Sequence, residues 1–462
     1  MPEVHKKILV ADGLTPVSAY SALRGQAPGG SFLLESVVGG ERWARYSILG
    51  YRPQSTVTLF GEEGVDPFAK LQELVGPAEA QAACPAERFA TAHVGLLCFD
   101  MVHFSTKVPR WPDEVQGPIA RLLGHCTVVI FDHLSKEVTI ASTVQSHVAD
   151  CEALLRSAPN LDLIEPPDPH AIPDDVELGM SDAEYSAAVE RCREYIRAGD
   201  AFQIVPGRTF SVPTLGTDPL EVYRSLRVLS PAPYMYFLDL PEAEGVEAIA
   251  IAGASPETLV KVQDGTVYLR PIAGTRRRGR NEAEDIALAE EMTSDPKELA
   301  EHVMLIDLAR NDIGRIAKTG TVKVPNRMFV ERYSHVMHIT SEVQGEVDPS
   351  MSPWDVLRAT FPAGTLSGAP KVRAMQIIRE LEARPRGAYG GAIGYVTSSK
   401  DLDLAIGIRT VVMQKGRFEV TAGAGIVADS DPRLECNETR HKANAALAAV
   451  HAARKRHQNP GA

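Results

Sequence analysis

The sequence lacks the features of membrane-spanning, disulfide-linked and nucleic-acid-binding proteins. None of its apolar runs approaches the roughly 18 residues that a membrane-spanning helix needs, and no signal peptide follows the N-terminus. Its 6 cysteines include no Cys-x-x-Cys pair, which argues against zinc and disulfide frameworks and favours free thiols in a reducing cytoplasm. The formal net charge of −12 argues against broad nucleic-acid binding. An anionic ligand would therefore need local basic residues.

The composition that remains is that of a globular protein. Of 462 residues, 44% are apolar and 23% are charged, enough for two or three domains or one large entwined domain. Short β runs over 31–60 and 91–145 are followed by irregularly alternating helical and strand-like stretches, which predicts an α+β fold with large antiparallel sheets. Prolines among acidic residues predict a linker at 161–180. We therefore expect an N-terminal lobe over 1–160 and a second domain over 181–455.

Three helix starts can be placed from capping residues. Ser181 with Glu184 forms a capping-box pattern, which predicts a helix through about Ala198. Asp295 and Asp431 each precede a proline, the residue favoured at the first helical position.

Two of these helices carry spaced carboxylates. Glu298 and Glu301 share one helix face, as do Glu435, Glu438 and Lys442. Two such faces near positive helix ends can converge on a hard cation such as Mg²⁺. The alternative is that these are solvated glutamates favoured by the helix dipole.

The segment 361–375 is rich in small residues and then becomes basic. Gly364, Thr365 and Gly368 describe a tight turn, and Lys371 and Arg373 add positive charge where a helix is expected to begin. This pattern predicts a pocket for a small carboxylate, with a purely structural turn as the alternative. It does not match a phosphate loop, which requires Gly-Lys-Ser/Thr.

A second glycine motif lies at 421–428. It fits G-x-G-x-x-A, but Ile426 and Val427 are expected to continue the preceding strand, whereas a dinucleotide site needs a helix to begin at the glycines. Backbone N–H groups at Gly423 and Gly425 are therefore expected to bind a carboxylate, with Lys442 as a nearby cation.

Taken together, these motifs resemble those of the chorismate-utilising enzymes, and the resemblance spans about residues 30–450. It implies a sandwich of two antiparallel β sheets flanked by helices. It also implies a general acid at Glu257, a histidine near the substrate ring at His338, and a clamp on the enolpyruvyl carboxylate by Tyr389 and Arg409. It places further residues in the same pocket, namely Thr365, Gly274, Thr275, Gly423, Ala424, Gly425 and Lys442.

The resemblance also implies a Mg²⁺ cofactor on Glu301 and Glu438, backed by Glu298 and Glu435. The residues alone leave three other interpretations open. Arg409 could form a surface ion pair, Glu257 could be an exposed turn residue, and His335 and His338 could be core residues or a metal-binding pair.

Two positions indicate the branch of the family. Relatives that add water carry an activating lysine where this chain has Gln203, and glutamine cannot act as that base. Relatives that make aminodeoxychorismate carry a nucleophilic lysine where this chain has Ala273. The pattern is that of the anthranilate synthases, which form anthranilate and pyruvate from chorismate and ammonia. Aminodeoxychorismate synthesis and a non-catalytic tryptophan-binding module are the alternatives.

The resemblance also implies partners. No cysteine has the glycine-flanked surroundings of a glutaminase nucleophile, so a separate glutamine amidotransferase subunit is expected to deliver ammonia, in a hetero-oligomer such as a heterotetramer. Feedback inhibition by tryptophan is implied through 40–47 and a set of further residues, namely Leu34, Ser36, Pro233, Tyr234 and Met235. An indole slot is expected between Leu33, Tyr46 and Met235, and an ordinary β core is the alternative.

Overall fold

The computed structural model describes residues 3–36, 45–76, 84–243, 245–333 and 336–458. Within these ranges the strands are β1 His5–Val10, β2 Ser31–Glu35, β3 Tyr46–Tyr51, β4 Ser55–Leu59, β5 His93–Leu97, β6 Ala120–Gly124, β7 Thr127–Asp132, β8 Glu137–Ser142, β9 Glu177–Leu178, β10 Gln203–Ile204, β11 Gly207–Pro213, β12 Tyr234–Leu240, β13 Ile249–Ser255, β14 Thr258–Gln263, β15 Thr266–Leu269, β16 Ile272–Arg277, β17 Lys323–Arg332, β18 Val336–Glu346, β19 Gly368–Ala369, β20 Ala392–Val396, β21 Leu402–Ile406, β22 Thr410–Gln414 and β23 Arg417–Gly423.

The α-helices of the same ranges are α1 Pro16–Arg24, α2 Pro67–Val75, α3 Pro85–Ala90, α4 Val102–Ser105, α5 Gln145–Arg156, α6 Asp182–Arg197, α7 Pro219–Leu229, α8 Glu282–Ser294, α9 Pro296–Gly314, α10 Pro353–Thr360, α11 Gly364–Ser367, α12 Lys371–Leu381 and α13 Pro432–Gln458. No helix among the described residues is both long and apolar enough to cross a membrane.

Two large antiparallel sheets form the centre of the molecule. Within the described residues the first sheet has 11 strands in the order β1-β8-β7-β3-β2-β12-β13-β22-β23-β11-β9. The second has 10, in the order β16-β18-β15-β14-β21-β20-β5-β6-β4 with β17 also paired to β18. A short pair, β10 with β19, stands apart from both sheets.

The core has three layers because side chains alternate between the two faces of a strand. In β2, Phe32 packs between the sheets with Leu96 of the second sheet. Its neighbour Leu33 faces outward, where it packs with Tyr20 of α1 and Tyr223 of α7. A third cluster fills the space between the second sheet and helices α2, α9, α10 and α12. This arrangement confirms the predicted α+β sandwich flanked by helices.

The predicted helix starts are confirmed. Ser181 caps α6 in a capping box with Glu184, and Asp295 caps α9 by accepting from the Lys297 amide. Asp431 accepts from two amides in the first turn of α13. These caps are local, so the sequence alone determines them.

Both halves of the chain contribute strands to both sheets. In the first sheet β2 pairs with β12, and in the second β5 pairs with β20. The stretch 161–176 between the halves contains no regular element. The segments 1–160 and 181–455 thus share two continuous sheets. Their division into a lobe and a domain stays a prediction.

Candidate active site

The chain crosses between the two sheets at two adjacent places. Glu257 lies in the first crossing, between β13 and β14, and Arg409 lies in the second, between β21 and β22. The Glu257 carbonyl accepts from the Ile406 amide at 3.1 Å, and the Arg409 carbonyl accepts from the Ala254 amide at 3.2 Å. Residues some 150 positions apart are thus held side by side, where the chain passes twice from one sheet to the other.

Glu257 is a carboxyl group adapted to hold a proton. The Thr365 hydroxyl, in α11, donates to Glu257 Oε1 at 2.9 Å. Burial raises the pKa of Glu257 to about 7, although the Thr365 hydrogen bond and the nearby Lys442 charge lower it. The side chain keeps partial solvent contact at the pocket wall, so it is reachable by a ligand. A large protonated fraction near neutral pH is what a general acid requires.

Arg409 and Tyr389 form an anion-attracting wall beside it. The guanidinium of Arg409 makes no ion pair or hydrogen bond with any described residue, so the ion-pair alternative does not apply. Its backbone has φ of 51°, a conformation that non-glycine residues rarely adopt. Burial lowers the pKa of Arg409 and raises that of Tyr389, which is neutral. A Cβ added at Gly423 would lie 2.6 Å from the Tyr389 hydroxyl, so glycine is required there.

The glycine segment after β23 ends the strand. Ile426 forms only an isolated bridge with Ile204, and Val427 lies outside any strand, so the prediction that both continue the strand is wrong. The partner changes at this point from β11 to the short β10 segment, which a single-strand pattern cannot show. The amide of Ala424 already donates to the Tyr185 hydroxyl at 3.3 Å and is not available to a ligand.

On α9, the predicted metal ligand Glu301 and the carboxylate predicted to back it, Glu298, each have a protein partner. Glu301 Oε1 accepts from the Gln203 side-chain amide at 3.0 Å, and Glu298 Oε1 accepts from Arg276 at 3.1 Å. A Cβ on Gly425 would lie 2.8 Å from the same Gln203 nitrogen. Gln203 therefore lies between the glycine segment and α9.

On α13, the carboxylates repel one another. Lys442 Nζ lies 2.7 Å from Glu438 and donates to the Gly423 carbonyl at 3.1 Å. Burial and the Glu438 charge raise the pKa of Glu435. A hydrogen bond from the Ser430 hydroxyl lowers it, but by less. Among the described residues no three acidic, histidine or cysteine side chains are grouped closely enough to hold a metal.

His338 stands on β18 opposite Thr275 of β16. Its Nδ1 lies 3.0 Å from both the Gly274 carbonyl and the Thr275 hydroxyl, and the carbonyl, which only accepts, assigns the proton to Nδ1. Burial lowers the pKa of His338, so the ring is neutral with Nε2 as an acceptor. Gly274 interrupts the strand pairing with φ of 59°, close to Glu298. Ala273, beside it, is buried.

The two cations after the small-residue turn do not face a ligand. Lys371 pairs with Asp312 at 3.0 Å, and Arg373 pairs with Asp200 at 2.9 Å. The prediction that they form a carboxylate pocket is therefore wrong, because long-range acidic partners neutralise both. The same segment still contributes Thr365.

The predicted tryptophan residues lie where β2 pairs with β12. Met235 opposes Glu35 in this pairing, and the buried Ser36 hydroxyl has no hydrogen-bond partner among the residues that the structure describes. The Tyr234 hydroxyl lies 2.8 Å from Asp403 and 2.9 Å from Thr258, so it is already engaged.

The predicted indole slot is not formed as expected. Leu33 and Met235 pack in the outer core cluster, whereas Tyr46, like Leu34, packs in the cluster between the sheets. Leu33 and Tyr46 thus lie on opposite faces of one sheet. Pro233 lies at the start of β12, and residues 40–44 of the predicted motif lie outside the described residues, as does His335.

Sequence reasoning missed one buried charged pair. Arg386 and Glu382 lie next to Tyr389, and the side chain of each is less than a tenth exposed. Arg386 stands in the same short motif as Tyr389, but nothing in the sequence separates it from the exposed Arg384 nearby. Only burial distinguishes Arg386 from Arg384, and burial is known only once the fold is known.

Comparison with known proteins agrees with this geometry. The family model described as chorismate binding enzyme matches residues 31–448. "Anthranilate synthase component 1" of Acinetobacter calcoaceticus is 42% identical, covering 96% of this chain and 93% of its own. The protein of the same name from Pseudomonas aeruginosa is also 42% identical, covering 96% and 94%.

Solved structures give the same result. The crystal structure of anthranilate synthase component I from Streptococcus pneumoniae superposes with a TM-score of 0.75 at 35% identity, covering 96% of this chain and 99% of that one. A putative 2,3-dihydroxybenzoate-specific isochorismate synthase from Bacillus anthracis, at 23% identity and a TM-score of 0.68, covers 94% and 99% and shows the shared fold. The chain belongs to the chorismate binding enzyme family.

Proposed function

We propose that this chain is the synthase component of an anthranilate synthase, and that it converts chorismate and ammonia to anthranilate, pyruvate and water. Relatives of that name share about two fifths of their residues with it over nearly the whole chain. The structural observation that carries the proposal is the Glu257 carboxyl, protonatable near neutral pH and hydrogen-bonded to Thr365.

The reaction needs a proton donor at the leaving hydroxyl group. Ammonia adds at ring C2 while the C4 hydroxyl leaves, and hydroxide is a poor leaving group unless an acid protonates it to water. Glu257 supplies this proton. The C2 hydrogen is then lost as a proton, the bond to the enolpyruvyl oxygen breaks, and the ring becomes aromatic as pyruvate is released. The neutral His338 has a free Nε2 that can accept such a proton.

The substrate carboxylates match the positive charges of the site. Arg409 has no ion-pair or hydrogen-bond partner within the described part of the chain, and its guanidinium geometry suits a bidentate carboxylate. With the neutral Tyr389 hydroxyl beside it, this wall suits the enolpyruvyl carboxylate. Lys442 is the second cation, next to Gly423.

Two side chains favour ammonia and a freely released product. Gln203 is held by hydrogen bonding to Glu301, and an amide cannot take a proton from water. Ala273 is buried in β16 and offers no nucleophile for a covalent adduct with the ring. Together they disfavour the branches that add water or form aminodeoxychorismate.

The same site suits a Mg²⁺ ion in its donor chemistry. Glu301 and Glu438 would hold the ion, with Glu298 and Glu435 behind them, and carboxylate oxygens are the ligands that Mg²⁺ prefers. Burial, and after it the charge of Glu438, raises the pKa of Glu435, and a bound cation would offset that repulsion between the two carboxylates. When bound, Mg²⁺ would polarise the ring carboxylate and orient the substrate. The carboxylates must exchange their present partners to bind it.

Ammonia is proposed to come from a separate glutamine amidotransferase component, in a hetero-oligomer such as a heterotetramer. All 6 cysteines are free, and 5 of them are buried. Burial raises the pKa of Cys151 and Cys192 to about 12 and raises that of Cys98 and Cys126 further. None of these four thiols has the low pKa of a catalytic thiolate. Free thiols also fit a reducing cytoplasm, which we propose as the compartment.

Tryptophan is proposed to inhibit by binding near Ser36. Its ammonium group needs acceptors, and the buried Ser36 hydroxyl lacks a partner within the described ranges. Pro233, directly before β12, has no amide donor, so a neighbouring carbonyl can accept from the ligand instead. Because Leu33 and Tyr46 lie on opposite faces of the sheet, the indole is expected on the inter-sheet face, where Leu34 and Tyr234 lie.

Product identity tests the proposed function. Purified protein, chorismate, an ammonium salt and Mg²⁺ are incubated, and products are separated and identified by mass spectrometry. We expect anthranilate and an equal amount of pyruvate. A product that retains the enolpyruvyl group, or one that carries a hydroxyl in place of the amine, would assign the chain to another branch.

A further inference from the structure

One buried arginine connects three chain segments that carry proposed active-site residues. The Arg386 guanidinium donates to the Leu366 carbonyl at 2.7 Å and to the Val205 carbonyl at 2.6 Å. Leu366 directly follows Thr365, and Val205 lies two residues after Gln203. The Leu366 carbonyl belongs to α11 and the Val205 carbonyl directly follows β10, so this single side chain bonds two separate segments.

The same guanidinium is fixed by a carboxylate. Arg386 Nε lies 2.9 Å from Glu382 Oε2, and Nη2 lies 2.6 Å from Oε1, a two-point fork. Glu382 Oε1 also accepts from the Gly207 amide at 2.7 Å. A Cβ added at Gly207 would lie 2.9 Å from the Tyr389 ring, so this strand end packs directly on Tyr389.

The arginine also contacts the Tyr389 ring itself. Its guanidinium carbon lies 5.3 Å from the Tyr389 ring centroid and 4.5 Å from that of Phe99. The main chain before the ring is held from the opposite side, because Asp100 accepts from the Gly387 amide at 2.7 Å. Side-chain exposure is 3% for Arg386 and 8% for Glu382, so the pair is almost fully buried.

We infer that Arg386, braced by Glu382, is a positioning residue for the reaction: it holds Thr365 against Glu257 and sets the plane of Tyr389. This inference depends on the function proposed above. Two carbonyls and one carboxylate are bonded to a single planar group, and lysine cannot reproduce that geometry because its ammonium is a point charge. If Arg386 were only a buried structural residue, pairing its charge with Glu382 would be enough, and the bonds to the two carbonyls would not be needed.

The test compares Arg386→Lys with wild type at a fixed concentration of free ammonia. We expect kcat/KM for chorismate to fall about ten- to a hundredfold, since misplacing catalytic groups by ~1 Å can cost ~10²-fold. The pH profile of kcat/KM gives the specific readout. Loss of the Thr365 hydrogen bond, which lowers the pKa of Glu257, should move the alkaline limb to higher pH. Thr365→Val should move it the same way, and the double variant should move it no further.

Arg121→Lys is the matched control. Arg121 is a buried arginine whose guanidinium bonds the main-chain carbonyls of Glu247 and Pro241, neither of which belongs to the segments that carry Gln203, Thr365 or Tyr389. The Arg121→Lys substitution should lower the thermal stability but leave the alkaline limb of the kcat/KM profile at the wild-type pH. Glu382→Gln provides a second test if Arg386→Lys does not fold. The amide keeps an acceptor for Gly207 but loses the charge paired with Arg386, and a smaller shift in the same direction is expected.

Two results would overturn the inference. One is found if Arg386→Lys or Glu382→Gln keeps kcat/KM within about twofold of wild type and keeps the alkaline limb at the wild-type pH. Such a change is too small for displaced catalytic groups. The other is an equal loss and an equal shift in Arg121→Lys, which would show that any buried arginine has this effect. If wild type itself makes no anthranilate, the proposed function fails instead, so the two failures are distinguishable.

Discussion

Thr365 Oγ1 lies 2.9 Å from Glu257 Oε1, although 108 residues separate them along the chain. The hydroxyl belongs to α11, and the carboxyl lies where the chain crosses from the first sheet to the second. This contact links the small-residue segment, the most distinctive in the sequence, to the proposed acid of the reaction.

The pH dependence of the reaction should reflect Glu257. The pKa of this group is about 7, and only its protonated form can donate. At fixed free ammonia, kcat/KM for chorismate should therefore be level below about pH 7 and fall about tenfold per pH unit above it. In Glu257→Gln the activity should be low at every pH, without that limb. An unchanged limb in this variant would assign the titration to another group.

Glu301→Gln and Glu438→Gln should each remove most Mg²⁺-dependent turnover. Each change takes a charged ligand from a hard cation, a loss of roughly 2–3 kcal/mol or about two orders of magnitude in rate. Glu73→Gln, in α2 and remote from the site, is the control. Turnover within about threefold of wild type in either site variant would contradict the metal assignment.

Ala273→Lys should impair anthranilate formation. Ala273 is 9% exposed in β16, so the lysine stem would enter space next to the proposed ring site and bring a charge that is costly to bury unpaired. A loss of about tenfold or more in kcat corresponds to only ~1.4 kcal/mol. Ala187→Lys, on the exposed face of α6, should have no effect. Unchanged rate and product would remove the main support for the branch assignment.

Ser36→Phe should relieve inhibition by tryptophan while most uninhibited turnover is kept. The phenylalanine ring would fill the space at the end of β2 that is proposed to receive tryptophan. Coupling between the two sites of about 1–3 kcal/mol is typical and reciprocal, so chorismate should weaken tryptophan binding in wild type by the same factor. Isothermal titration measures both. Ser135→Phe, on the exposed β7–β8 turn, is the control. Wild-type inhibition of Ser36→Phe would place the effector elsewhere.

Local features were predictable from the sequence, and contacts between distant segments were not. The caps at Ser181 and Asp295 depend on neighbours within four residues, so pattern alone placed them. The roles of Lys371 and Arg373 depend on Asp312 and Asp200, whose proximity follows only from the packed fold.

Sheet register set a similar limit. Strand alternation predicts that Leu33 and Leu34 face opposite sides, but which side Tyr46 shares depends on how β3 pairs with β2. Arg386 illustrates the same point for burial. Its residue type is typical of a surface, and only the surrounding carbonyls and Glu382 show that it is interior.

Ammonia-dependent anthranilate formation by the purified chain tests the central claim most directly. Anthranilate is followed by fluorescence with chorismate and Mg²⁺ at mildly alkaline pH, first with an ammonium salt and then with glutamine. The account predicts product with ammonium alone, and product with glutamine only after an amidotransferase component is added. A folded protein that makes no anthranilate from ammonium, or one that uses glutamine unaided, would contradict it.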